Sequence, residues 1–171
     1  MIARTLVVGL LLLSAAVLQT ALFPSLALLG FRPDLLLLVV LAVGLRDGPL
    51  SGLRVGAAAG LIADLLVSQA SVGLAMVVYT AMGYTVGLAR PYLAPDSITA
   101  PVLLAFVSGL VGTASYGMLV QLLGDERVTS TLLIQASLTV GFYNTLLAPP
   151  ALALVRRLSD RFPLQGAAVS E

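Results

Sequence analysis

From Thr5 to Phe31 the chain carries no charged side chain, and stretches of the same kind recur to Val155, broken by short polar turns. Such runs have few ways to fold. In hydrocarbon no water is at hand for exposed N–H and C=O groups, so a spanning segment must satisfy its backbone within a helix or a closed barrel. The runs here are far longer than a barrel strand of about 9–11 residues, so they are helices. Only 10% of the residues are charged and 59% are hydrophobic; soluble domains carry about 25% charged residues. The expected class is an all-α integral membrane protein.

The 171 residues have room for five or six spans with short loops and for no separate soluble domain, so the chain reads as a single polytopic domain over 1–171. Six spans are predicted, at about 5–23, 33–45, 50–67, 72–89, 100–123 and 130–155. The first resembles a cleaved secretory signal in its Ser14-Ala15-Ala16 stretch, but its length and the spans behind it favour an uncleaved helix. Pro24 and Gly30 mark the turn after it. Arg32-Pro33-Asp34 opens the second run, where Pro suits the first turn and Asp34 faces the positive helix end. That run is short for a span, so its helix is expected to tilt little or to borrow its flanks. Arg46-Asp47-Gly48-Pro49 and Gly124-Asp125-Glu126-Arg127 are polar turns, Ser68–Ser71 an uncharged one, and Arg90-Pro91 ends the fourth helix ahead of a loop holding Tyr92 and Asp96. Pro149-Pro150 in the last helix predicts a kink or break. Beyond it Arg156, Arg157 and Arg161 lead into a polar tail.

Six spans put both termini on one side. Arg4, Arg46, Arg54, Arg90, Arg156, Arg157 and Arg161 fall on that side, and Arg32 and Arg127 on the other. Arginine bias marks the cytoplasmic face. Both termini are therefore expected in the cytoplasm, with the protein multi-pass in the cell membrane. Asp34 and Asp64 then both lie toward the external face.

The third run carries a ridge. Gly52, Gly56, Gly60 and Asp64 are spaced by four, so on a helix they share one face over roughly 18 Å at 1.5 Å per residue. Bare backbone along such a face lets another helix approach closely. The ridge admits three readings: an oligomer interface, a partner-binding groove, or internal packing, the last being the simplest. Gly83 and Gly87 repeat the spacing in the fourth helix, and Ser108/Gly112 and Thr113/Gly117 offer small-residue pairs in the fifth. Asp64 costs energy in hydrocarbon unless paired or hydrated. It either pairs inside the bundle, with Arg32 or Asn144 as partner, or reaches headgroups or a loop N–H. In each case it is a fold-locking contact rather than a catalyst. Gln135 and Asn144 in the sixth helix line a polar cavity or, more ordinarily, bond between helices.

The chain has no His, Cys, Lys or Trp. Ser-His and Cys-His catalysis, His- or Cys-ligated zinc and Schiff-base chemistry are excluded, and a net charge of +1 leaves no broad basic surface for nucleic acid. A membrane aspartyl peptidase needs two carboxylates sharing a proton. Asp34 and Asp64 are the only such pair on one face, without the surrounding pattern of those enzymes. No catalytic residue, metal or cofactor is expected.

Three segments, Phe31-Arg32-Pro33-Asp34-Leu35-Leu36-Leu37, Gly44–Gly52 and Gly56–Leu65, stand with Gly73-Leu74 and the Tyr79…Gly83-Tyr84…Gly87 helix. Together they resemble the MreD family of rod shape-determining proteins, in its actinobacterial style. The resemblance covers about Gly30 to Arg90; the first span and the last two agree mainly in hydropathy. It implies a non-enzymatic scaffold of the cell-elongation machinery that directs lateral peptidoglycan synthesis. The bitopic protein MreC would be its direct partner, with RodA, PBP2 and MreB in the same assembly. On that view the Gly52/Gly56/Gly60 groove is the docking face for the MreC helix or the internal seam that supports it. MreD-like chains also resemble, in fold, the six-helix S-components of energy-coupling-factor vitamin transporters. That alternative implies an external cavity lined by Asp64, Asn144 and Gln135. The Ala-x-x-x-Ala signature of those proteins is missing, since no two alanines before Phe31 are four apart.

Overall fold

The computed structural model describes residues 2–21, 30–66, 73–93, 99–125 and 127–161. The expected turns at Pro24 and Ser68–Ser71, the loop residue Asp96 and the polar C-terminal tail lie outside them. Six α-helices follow one another: α1 Ile2–Ala21, α2 Leu35–Asp47, α3 Pro49–Leu66, α4 Leu74–Ala89, α5 Thr99–Leu122 and α6 Ser130–Arg161. A 3₁₀ turn, Arg90–Tyr92, extends α4. Among the described residues four helices are long and apolar enough to cross a membrane: α1, α3, α5 and α6. The other two are short, α2 with 13 residues and α4 with 16. At 1.5 Å per residue they reach roughly 20 and 24 Å, against an apolar bilayer core of about 30 Å.

The centre of the molecule is α2. Every residue from Leu36 to Gly44 is buried, and α2 packs against each of the other five helices. Its sequence, LLLLVVLAVG, is apolar all round, as a helix enclosed on all sides must be. One side, with Leu36, Val40 and Val43, meets Leu12 and Ala16 of α1, Ala59 of α3 and Val78 of α4. The other, with Leu38 and Leu41, meets Val86 of α4, Ala105 of α5 and Ala148 of α6. Because α2 is wrapped by protein it need not span the lipid itself.

Around α2 stand two tight helix pairs, α3 with α4 and α5 with α6, while α1 leans on α2 and α3. A single residue, Gly48, separates α2 from α3. Its φ of +89° suits glycine, its N–H donates to the Gly44 carbonyl, and Pro49 then starts α3 where the absent N–H has no partner to lose. The α5–α6 crossing is close at Gly109, whose missing Cβ leaves room for Gly141 and Asn144. Phe106 and Phe142 meet edge to face there, 5.5 Å apart. Of the pairs expected in α5, Gly112 instead faces Leu37 of α2 and Gly117 faces Leu133 of α6.

Two expectations for α6 are corrected. The helix is not broken at Pro149-Pro150; it continues through both, which lie on its exposed face, so the two lost donors are on the outer side. It also runs past Val155 to Arg161. Val155 and Ser159 are buried against the rest of the bundle, which holds the last turns in place.

Candidate functional site

At the arginine-rich end three helix termini are tied together. Arg4 of α1 forms an ion pair with Asp47 at the end of α2, and its guanidinium also donates to Ser159 Oγ of α6 at 2.9 Å. Both charged side chains of the pair are less than a tenth exposed. Beside them Arg46 meets Asp160 at 2.6 Å, with both partners exposed. The termini of α1, α2 and α6 thus share one face with Arg90, whose guanidinium lies near Gly48.

In the middle, the glycine ridge of α3 is filled by α4. A Cβ added to Gly52 would lie 2.8 Å from the carbonyl carbon of Gly83, one on Gly56 2.7 Å from that of Tyr79, and one on Gly60 2.6 Å from the Met76 nitrogen. From the other side, Gly83 faces the Gly52 backbone and Gly87 that of Pro49. These neighbours are backbone atoms, which cannot rotate away. Gly44 of α2 joins the same point, since its Cβ would lie 2.9 Å from the Gly83 oxygen. Three backbones therefore cross on Gly44, Gly52 and Gly83. No surface groove is left along the ridge for a helix from another protein.

At the opposite end the carboxylates are helix caps. Asp64, 3% exposed at the end of α3, accepts from the N–H groups of Gly73 at 2.9 Å, Ala75 at 3.0 Å and Met76 at 3.1 Å. Those are donors that the start of α4 cannot use itself, and the carboxylate sits against the positive end of that helix. The expected partners Arg32 and Asn144 are not the ones it bonds: the loop-and-terminus N–H groups lie nearer in the chain and need an acceptor. Asp34 caps its own helix. It accepts from Leu37 N at 3.0 Å and from the Tyr79 hydroxyl at 2.5 Å, which ties α2 to α4. Asn144 Oδ1 accepts from Asp34 N at 3.1 Å, and Gln19 Oε1 of α1 accepts from Leu35 N and Leu36 N. The start of α2 is thus capped by α1, α4 and α6 at once, a polar counterpart to its apolar body. Gln135 is exposed on α6 and takes no part.

Next to this node lies a cavity of about 680 Å³. All six helices line it, and its polar groups include Gln19, Arg32, Asp34, Tyr79, Thr113 and Tyr116. Asp64, Asn144 and Gln135, the residues expected to line an external cavity, are not in its wall; the first two are turned to helix termini. Gln19, Thr113 and Tyr116 were not singled out from the sequence as site residues. A lone amide near a helix end, or a hydroxyl on a mostly apolar helix, gives no signal until the helices are placed. Among the described residues no group of three or more His, Cys, Asp or Glu is placed to hold a metal.

No curated protein and no solved structure matches the chain. The family model for the rod shape-determining protein MreD matches residues 1–158, nearly the whole of it, including the caps of α2 and α4 and the glycine seam. The protein belongs to the MreD family of rod shape-determining proteins.

Proposed function

We propose that this protein is a non-enzymatic membrane scaffold subunit of the rod-shape complex, binding MreC directly and helping to organise lateral peptidoglycan synthesis with RodA, PBP2 and MreB. The observation that carries the reading is the family match over residues 1–158. The use of the two carboxylates supports it: Asp34 and Asp64 hold helix ends, as a rigid platform requires. In this reading six helices cross or enter the cytoplasmic membrane and both termini face the cytoplasm, in keeping with the arginine bias. MreC docks on an exposed apolar face rather than on the α3 ridge, which α4 occupies.

A second reading, a substrate-binding subunit like those of energy-coupling-factor transporters, is favoured by the cavity of about 680 Å³, a size typical of ligand sites. One experiment separates the two. The tagged protein is purified from detergent-solubilised native membranes and every companion is identified. Recovery of MreC with RodA or PBP2 is expected; recovery of an ATPase pair with a coupling membrane subunit, and no MreC, would overturn the scaffold reading. Photo-crosslinkers at exposed positions such as Leu10, Leu103 and Phe142 then locate the MreC face, while one at the buried Gly56 is expected to give no MreC adduct.

A further inference from the structure

The cavity at the capped end of α2 has an unequal supply of hydrogen-bonding groups. Tyr79 spends its hydroxyl on Asp34, and Asp34 already takes in Leu37 N as well. Gln19 Oε1 accepts from Leu35 N and Leu36 N, and the Thr20 hydroxyl donates to the Ala16 carbonyl, which leaves Arg32, Thr113 and Tyr116 with donors to offer. Thr113 and Tyr116 stand one turn apart on α5, so their hydroxyls share a face, and neither has a hydrogen bond among the described residues. Arg32 is exposed in the same wall. The ion pairs among the described residues are Arg4–Asp47 and Arg46–Asp160, so its guanidinium has no acidic partner among them. The rest of the wall, with Leu36, Ala63, Leu66, Ala136 and Val140, is apolar. A cation and two unspent hydroxyls beside hydrocarbon call for a molecule with an anionic, acceptor-rich head and an apolar body.

We infer that this cavity binds an anionic amphiphile with a phosphate head, held by Arg32 with Thr113 and Tyr116 and with its chain against Leu36, Ala136 and Val140. A guanidinium meets phosphate through two parallel hydrogen bonds, and hydroxyl donors complete the set. Both oxygens of Asp34 are engaged, by Leu37 N and by the Tyr79 hydroxyl, so they are not the acceptors that Arg32, Thr113 and Tyr116 meet. This goes beyond the scaffold role and is tested on the protein alone, so loss of MreC binding and loss of this site are separate results.

The experiment uses the purified full chain in a neutral maltoside detergent with dodecyl phosphate as the probe, read by native mass spectrometry and by tyrosine fluorescence. One bound molecule per chain is expected. Arg32→Gln is expected to weaken binding at least tenfold, Thr113→Val to weaken it severalfold, and Ala136→Phe, which fills the cavity, to remove it. Thermal unfolding of each variant confirms that it is folded. Dodecanol and inorganic phosphate at equal concentration should not displace the probe. Displacement by inorganic phosphate alone would overturn the amphiphile in favour of a free anion. Displacement by dodecanol, or binding indifferent to Arg32→Gln and Ala136→Phe, would overturn the site altogether.

Discussion

Replacing Gly56 with alanine tests the seam between α3 and α4. The added Cβ would fall 2.7 Å from the Tyr79 carbonyl carbon and 2.9 Å from Thr80 Cα. Ordinary contact begins at 3.4 Å and the Tyr79 carbonyl oxygen lies closer still, so α3 and α4 must part by at least about 0.7 Å. A radial gap of that size forfeits roughly a quarter to a half of each dispersion contact, and each is worth about 0.1–0.2 kcal/mol. Over a seam of on the order of 50 such contacts the loss is about 2 kcal/mol, within the 1–3 kcal/mol or so usual for overpacking. In lipid this term matters more than in water, because no hydrophobic force drives helices together there. Gly9 of α1 is the matched control, since a Cβ on it meets nothing within 4 Å. Gly9→Ala should be neutral or stabilise by up to about 1 kcal/mol through helix propensity. Thermal unfolding in one detergent is the assay. Gly56→Ala should lower Tm by several degrees, at about 2–4 °C per kcal/mol for a chain of this size, while Gly9→Ala leaves it level or raises it. Equal shifts in the two variants would refute a backbone-to-backbone α3–α4 contact.

Other expectations follow from the polar nodes. Asp64→Ala leaves the N–H groups of Gly73, Ala75 and Met76 without their acceptor; a loss of about 3 kcal/mol is expected, with faster amide exchange confined to the start of α4, and unchanged exchange there would reject the cap. Asp64→Asn, which keeps one acceptor oxygen, should fall between that variant and the parent. Breaking the enclosed Arg4–Asp47 pair with Asp47→Asn should cost about 3 kcal/mol. Asp160→Asn at the exposed Arg46 pair should cost less than about 1 kcal/mol and lose that effect in high salt; the comparison is read from denaturation midpoints, and equal costs would contradict the difference in burial. Tyr79→Phe removes the donor to Asp34 and should lower stability by about 1 kcal/mol, measured the same way.

The family, the helical membrane class and the number of helices were legible in the residues, because apolar runs and Gly/Pro turns act locally. So was the capping role of Asp34, which follows from its place before an apolar run. The glycine spacing announced a close approach along α3 but not by which helix, since any backbone fits a bare groove. For Asp64 the residues left two readings open, a partner inside the bundle or a loop N–H; the structure shows the second, and which N–H groups it meets no sequence pattern distinguishes, since every residue but proline carries one. Of the kink or break expected at Pro149-Pro150, the break does not occur, at a site where both prolines lie on an exposed face, and α6 ends later than expected because its last turns are held by Arg4 from the far end of the chain.

Local chemistry, then, determined that this chain makes helices that live in a membrane, where they begin, and which faces can touch. Only the tertiary structure decided that the shortest helix, α2, is the centre, that α4 fills the α3 ridge, and that Arg32, Thr113 and Tyr116 share one cavity. Those facts depend on contacts between residues tens of positions apart. For the α2 core and the α3 ridge the partners are backbone and small or apolar side chains, and such groups have no recognition code that can be read along the chain.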